Sequence, residues 1–556
     1  MGYTYPRIRL EGTDLLKRTG VIYSQILNDL LMKVDDGRGD YPKGFFHTST
    51  TRDSEPNYYH QMWSRDVGRG IMELCRAGLL EPARDAIEYI LEQGLNCGDH
   101  YGRLIGRGVP SAAYEVDGNV NILMAMYSDW LYSGKKKEDA ARYLQNAEAV
   151  FRWFEKMGEE CPHGFLLASQ SELSGNPDTP CLIYGVYATY GGIGALKAYA
   201  RMAQEAGDTA RAERWRALGE RFTASALEKL VSEGAGTLQG TKTPKGVWIN
   251  GLEEKTGTAA EIGDFGPRFF IHRWTRQLPY VQDYDRGVEE AEEPLQAVNE
   301  ASYRYLRAGM AEGYYFRRYG FVSCTCFSGM GGRHDDTMAG YGQNLFTQAA
   351  LLADDVNVYT KCLDGISRLA YDGDVVAPLT PDRNPWLMHE CFTYENYEQG
   401  LDHTYGRTGD ASRWIMHNPG DEGNLVQASE TLKTYAILAG VGSEGGRLIL
   451  KPRLPWECER AQIQDFPAVC ADGSLARISY DFRAERWKNS YTLTVRGVSA
   501  FSEALVRIGP LPNLLCNEEA LKKDWRILRR HEACFAERVI ATGGQDEVTV
   551  VLVNER

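Results

Sequence analysis

The sequence has no long apolar run. No stretch approaches the roughly 20 residues that a bilayer-spanning helix needs, and the opening MGYTYPRIRLEGTDLL holds no apolar core of signal-peptide length. It has no basic excess either. The formal charge of −14 disfavours nucleic acid, because phosphate binding needs a basic surface. Twelve cysteines are scattered without a framework. Only Cys324 and Cys326 lie close, and C-x-C alone is a poor metal or redox signature. The expectation is reduced, mostly buried thiols in a cytoplasmic protein, with no membrane association. The histidines show neither H-E-x-x-H nor another regular zinc spacing, so no metal and no cofactor are expected. No fixed-period self-similarity is visible, which argues against an α-solenoid.

What is present is a soluble, globular composition with unusual rings. Hydrophobic residues are 43% and charged residues 25%, both ordinary values. The 32 tyrosines and 11 tryptophans are less ordinary, because many stand in polar, glycine-containing loops rather than at helical spacing. Sugars have apolar C–H faces and polar edges. Flat rings with carboxylates and amides therefore suit a carbohydrate site; a single ring by itself is more often core.

Up to about residue 440 the chain reads as helices. Asp14–Lys33 carries apolar residues at positions 15, 16, 21, 22, 26, 27, 30 and 31. Further helices are predicted over 65–77, 82–93, 117–132, 137–156, 181–207, 209–233, 287–311, 340–353, 356–370 and 425–438. Short connections alternate with long ones rich in Gly, Pro, Trp, Tyr and acids: 34–63, 96–116, 157–180, 234–286, 312–339 and 371–424. Long loops are uncommon unless they serve a function. This alternation predicts a mainly α fold: an (α/α)6 toroid of six helical hairpins over 1–443, with its long loops at one end. After residue 445 RLILKPRLP, SLARISYDFRAE, SYTLTVRGV, EALVRIGP and EVTVVLVNE alternate apolar and polar residues. They predict a C-terminal antiparallel β-sandwich over 444–556, with a short helix at 522–530.

Three loops then carry chemistry. In YYHQMWSRDVGRGIMEL, Trp63-x-Arg65-Asp66 opens a helix after an aromatic loop, where Asp66 by itself could be no more than a cap. In SQSELSGNPDTP, a polar loop with Glu172 and Asp178 precedes a long helix. FTYENYEQG packs Glu395 and Glu398 among Tyr394, Tyr397 and Phe392, close to Trp386. In their order these stretches resemble the six-hairpin (α/α)6 glycoside hydrolases, in particular the glucoamylase and processing-α-glucosidase-like group. The resemblance covers the architecture of about 440 residues and three loops. It implies that W-x-R-D holds the hydroxyls of a terminal sugar, that the general acid is Glu172 or Asp178, and that Glu395 is the general base. The departures are local. Pro177 stands where the family's aspartate is expected, and the family's closing Thr-Gly is displaced to Thr408-Gly409.

Glycoside hydrolysis needs two carboxyl groups flanking the scissile bond, roughly 6.5–9.5 Å apart in inverting enzymes. The acid must hold its proton near neutral pH, which a ring-lined pocket can arrange. Other loops supply positioning groups. Glu115 and Asp117 lie at a helix start, as a capping turn or as substrate contacts. Arg333, His334, Asp335 and Asp336 form a charged, glycine-flanked cluster expected to face substrate. Trp386, Tyr394, Tyr397 and Glu398 complete the candidate subsite. The expectation is an exo-acting, inverting, metal-independent glycoside hydrolase whose partner is an oligosaccharide or glycoside. The sandwich would be a packing or homo-oligomer partner. The rivals are a sugar epimerase or isomerase, a glycoside phosphorylase, and a non-catalytic carbohydrate-binding protein.

Overall fold

Helices that are apolar on one stripe alternate along the chain with helices buried all round, and this contrast sets the architecture. The computed structural model describes residues 4–48, 62, 64–93, 116–169, 183–230, 248–253, 259–262, parts of 303–322, 337–371, 375–376, 391–394, 425–512 and 521–553. The helices among them are α1 (Asp14–Met32), α2 (Ser64–Arg76), α3 (Leu80–Gln93), α4 (Val116–Tyr132), α5 (Lys137–Glu160), α6 (Val186–Ala206), α7 (Thr209–Lys229), α8 (Tyr314–Tyr319), α9 (Gly340–Leu352), α10 (Val356–Tyr371) and α11 (Leu425–Ala439).

The sequence periodicity finds these helices to within a few residues at most ends, except α8, which falls within the stretch 312–339 expected to be a loop. The start of α6 differs. Ile183–Gly185, expected to be helical, forms a strand because it pairs with neighbours on both sides. The helix expected over 287–311 lies largely outside the described residues.

Helices α1, α3, α5, α7 and α10 show the amphipathic pattern of elements with one wet face. By contrast, every residue of α11 is buried, and so is each described side chain of α2 and α4. A helix buried all round must be enclosed by others. Here α6 packs on α4, α4 on α2, α2 on α11 and α11 on α9. The amphipathic helices back this row: α1 lies against α10 and α11, and α7 against α6. Glycine permits the closest approach in the row. A Cβ on Gly68 of α2 would stand 2.6 Å from the carbonyl of Asn121 on α4.

The strands are β1 (Arg7–Glu11), β2 (Ala168–Ser169), β3 (Ile183–Gly185), β4 (Trp248–Glu253), β5 (Ala259–Ile262), β6 (Thr337–Ala339), β7 (Val375–Val376), β8 (Cys391–Tyr394), β9 (Val441–Glu444), β10 (Arg447–Leu450), β11 (Arg460–Val469), β12 (Leu475–Glu485), β13 (Ser490–Arg496), β14 (Glu503–Pro512), β15 (Arg526–Arg530), β16 (Ala533–Ala541) and β17 (Glu547–Val553). Two five-stranded sheets occupy the C-terminal part. One runs β1-β11-β12-β13-β17 and is antiparallel throughout. The other runs β15-β16-β14-β10-β9, with a parallel pairing of β10 and β14. The five stretches with strand periodicity all form strands. Residues 522–530, expected to be a short helix, form a turn and β15 instead, because Arg526–Arg530 pairs along β16.

The N-terminal β1 joins the first sheet, with Ile8 opposite Ile463 and Leu10 opposite Ala461. α1 then lies so close to β1 that a Cβ on Gly20 would meet the Ile8 carbonyl at 2.1 Å. The helical and β parts also share buried ion pairs. Arg507 of β14 binds both carboxylate oxygens of Asp354, in the turn between α9 and α10, at 2.8 and 3.0 Å.

Candidate functional site

Two small sheets sit beside the starts of the enclosed helices, and both touch segments singled out by sequence. In the sheet β2-β3-β4-β5, Ser169 pairs with Ile183, so strands close the segment 170–182 that carries Glu172 and Asp178. β3 runs directly into α6. Thr189 Oγ1, one turn into α6, accepts a hydrogen bond from Leu167 N at 3.1 Å and so fixes the chain just ahead of β2.

In the sheet β6-β8-β7, Thr337 pairs with Thr393 and Ala339 with Cys391. The pairing is antiparallel. The strand end that leads back to Asp336 is therefore the end that leads on to Glu395. β6 runs directly into α9. Gln343, on the first turns of α9, is buried with its amide fully used. It accepts from Val322 N at 2.8 Å and donates to the carbonyls of Gly320 and Cys362 at 2.9 and 3.0 Å. Both roots of the segment 323–336 are thus tied to α9.

The enclosed helices carry polar residues where a core would carry hydrocarbon. On α2, Asp66, Arg69, Glu73 and Arg76 follow one another along the helix, all buried. On α11, Gln427, Ser429, Glu430, Lys433 and Thr434 do the same. Arg69 Nε lies 3.8 Å from Glu430 Oε1, and Lys433 Nζ lies 3.8 Å from Glu430 Oε2. Gln348 of α9 donates to Glu430 Oε2 at 2.9 Å. Glu73 is ion-paired with Arg76 one turn along.

Burial pushes the Glu73 carboxyl above the usual carboxylate range, against the pull of Arg76. Burial also lowers Lys433 to about 8, with Glu430 and Glu73 resisting the fall. Arg69, Arg76 and Lys433 thus face Glu73 and Glu430. Buried charges of this kind persist only where they are paired or used.

The helices in this part run in one direction. Arg69 meets Glu430 and Glu73 lies near Lys433, so α2 and α11 start at the same end. Gly68 meets Asn121 and Cys75 lies near Asp129, so α4 starts there too. The first turns of α4, α2 and α11 therefore gather Asn119, Asn121, Asp66, Gln427 and Ser429, all buried. Leu425 N donates to Thr48 O at 2.8 Å, which ties the start of α11 to the chain ahead of α2.

Among the residues expected from sequence, Asp66 is placed with its side chain, at the first turn of α2. Arg65 in α2, Asp117 in α4 and Tyr394 in β8 are placed by backbone only. Trp63, Glu115, Glu172, Asp178, Arg333, His334, Asp335, Asp336, Trp386, Glu395, Tyr397 and Glu398 lie outside the described residues. Sequence reading missed the cluster of Arg69, Glu73, Glu430, Lys433 and Gln348. In VGRGIMELC and LVQASETLKTYAIL these charges have the spacing of an ordinary wet helix face, so no local pattern sets them apart. Among the described residues no group of three or more His, Cys, Asp or Glu is placed to hold a metal. No described helix is long and apolar enough to cross a membrane.

No family model matches the chain, and no curated protein matches it by sequence. Solved structures do. A sialidase superposes with a TM-score of 0.55 at 11% identity, covering 86% of this chain and 38% of its own. An α-L-rhamnosidase from Dictyoglumus thermophilum gives 0.52 at 9% identity, covering 99% and 51%. A GH78 family rhamnosidase of Bacillus sp. GL1 gives 0.50 at 12% identity, covering 87% and 41%. This chain spans about half or less of the length of those proteins. At such identities the likeness is one of fold, and it is a fold that glycoside hydrolases use.

Proposed function

We propose that the protein is a glycoside hydrolase that removes a terminal sugar from an oligosaccharide or glycoside. The observation that carries this reading is the pairing of Thr337 with Thr393. It puts Thr337, which follows Asp335-Asp336 in the chain, and Tyr394, which precedes Glu395, at the same end of one small sheet beside the start of α9. The buried polar first turns of α2, α4 and α11 support it, as does a fold shared with glycosidases. The enclosed row α6-α4-α2-α11-α9 with its backing helices fits five members of the inner ring of an (α/α)6 toroid. In this reading the toroid spans 1–443, with β1 reaching across to the β-sandwich at 444–556.

The mechanism is inverting. The carboxylic acid of Glu172, or of Asp178 in the same segment, protonates the departing oxygen. Glu395 takes a proton from the water that attacks the anomeric carbon from the opposite face. Trp63, Arg65 and Asp66 hold the terminal sugar's hydroxyls. Arg333, His334, Asp335 and Asp336 orient it further, as do Glu115 and Asp117. Trp386, Tyr394 and Tyr397 offer ring faces, with Glu398 beside them. No cofactor enters any step.

The test is a screen of aryl glycosides and disaccharides, with NMR of the first anomer released. Glu395→Gln and Glu172→Gln should each lower turnover about 100-fold or more while sugar binding persists. Full activity in Glu395→Gln would remove the base assignment. Retention of the anomer would remove the inverting mechanism, and release that depends on phosphate would make the protein a phosphorylase.

A further inference from the structure

A ladder of side-chain hydrogen bonds joins α9 to α11. Asn344 Nδ2 donates to Thr431 Oγ1 at 2.8 Å, and Thr434 Oγ1 donates to Asn344 Oδ1 at 3.1 Å. Gln348 Nε2 donates to Glu430 Oε2 at 2.9 Å. Thr431 and Thr434 stand four and seven residues after Gln427, so the three share one face of α11. Gln427 is the next rung of this ladder toward the start of the helix. It is fully buried, yet neither its Nε2 nor its Oε1 has a hydrogen-bond partner among the described residues. Ser429 Oγ, one turn above Lys433, and Gln348 Oε1 are buried and unmatched as well.

An unmet buried amide is costly, and a leucine would fill the same space without that cost. Such a group is characteristic of sites that meet a ligand. Its place agrees. Gln427 stands on the first turn of α11, at the end where α2 presents Asp66 and α4 presents Asn119 and Asn121.

We propose that Gln427 is a specificity-determining residue that reads vicinal hydroxyls of a neutral sugar. An amide offers one acceptor and two donors and carries no charge. It matches a pair of neighbouring hydroxyls, one donating to Oε1 and the other accepting from Nε2. The cations below are already faced by Glu430 and Glu73, so this amide selects a polyol face rather than an anionic group. The inference deepens the proposed function and rests on it for the identity of the site.

The experiment uses the full chain, with D-glucose, D-mannose, D-galactose, D-xylose and L-rhamnose as probes. Binding is read as a sugar-dependent rise in melting temperature, and hydrolysis of the matching aryl glycosides as KM and kcat. The wild type should respond to at least one sugar. Gln427→Leu should melt at the same or a higher temperature without sugar, yet bind that sugar roughly ten-fold or more weakly, the loss expected for two neutral hydrogen bonds. Its KM should rise more than its kcat falls. Gln427→Met serves the same purpose if the leucine variant fails to fold. Unchanged sugar binding and KM in the folded variant, or no response of the wild type to any sugar, would overturn the proposal. Sugar binding lost in Gln427→Leu alongside a wild type that cleaves no glycoside would uphold Gln427 and sink the hydrolase reading.

Discussion

Arg507 grips Asp354 with both carboxylate oxygens within 3.0 Å, and this pair fastens the helical part to the β part from inside. Asp354 sits in the turn between α9 and α10 with a left-handed φ of 55°. Arg507 Nε also donates to Glu537 Oε1 at 2.8 Å, and Arg453 Nε lies 3.4 Å from Asp354 Oδ1. Two arginines and two acids thus balance, all four buried. Removing one arginine leaves a carboxylate buried without its charge partner, which costs about 3–5 kcal/mol. Arg507→Ala should lower the urea midpoint by a matching amount. Asp354→Ala combined with it should cost clearly less than the two single changes added together. Strict additivity would show that the two residues do not act as a pair. Lysine at 507 should not rescue, because a point charge cannot reproduce the two-oxygen fork.

Gly68 is where helix propensity and packing disagree. Replacing a glycine inside a helix with alanine ordinarily gains about 0.5–1 kcal/mol. At Gly68 the added Cβ would stand 2.6 Å from the carbonyl carbon and oxygen of Asn121, which are backbone and cannot swing aside. Overpacking of this kind costs about 1–3 kcal/mol. Gly68→Ala should therefore melt below the wild type. Because Asp66 and Asn121 flank the contact, activity should fall as well. A variant as stable as the wild type would mean that α2 and α4 are not in close contact there.

Periodicity made the helices and most C-terminal strands legible. Asp14–Met32 and Leu475–Glu485 repeat apolar residues at helical and strand intervals that no other conformation would bury so well. β1 was illegible for another reason. RIRLE is a short alternation whose partner, β11, stands some 450 positions later, and no local pattern specifies a pairing at that distance. The small sheets before α6 and α9 were hidden as well, since strands of two to six residues are too short to show a clear period. At the site, motif order pointed to Asp66 and the loop acids. It did not reveal Arg69, Glu73, Glu430 and Lys433, whose charges read as the wet face of an amphipathic helix until neighbouring helices are seen to enclose them.

Asp364 on α10 gives a pH-dependent test away from the site. Partial burial, with the charge of Glu457 adding to it, raises its pKa to about 6. The folded state therefore holds this proton more tightly than the unfolded chain, whose aspartate titrates near 3.9. Stability falls as pH rises through the window from about 4 to 6, and the cost is fully present above 6. Asp364→Asn should stabilise the protein at pH 7 by an amount of order 1 kcal/mol after solvent screening. At pH 4 it should make little difference. Melting curves at the two pH values decide it, and an equal effect at both would refute the titration.

Lys433 predicts the opposite slope at alkaline pH. Burial lowers its ammonium to about 8, while Glu430, 3.8 Å away, and Glu73 hold it up and Arg76 and Arg69 press it further down. In the unfolded chain a lysine titrates near 10.4. Between these values the unfolded state binds more protons than the folded state, so this group makes stability rise with pH from about 8 toward 10.4. Below 8 both states carry the proton, and the folded state bears the whole burial cost. Lys433→Met removes the titration and keeps much of the volume. The wild type should therefore gain on the variant as pH climbs from 8 to 10, whatever the shared background of other groups. Melting temperatures of the two proteins across that range should converge or cross. Curves that stay parallel would show that the Lys433 ammonium titrates in the folded cluster as it does in the unfolded chain, its charge fully matched there.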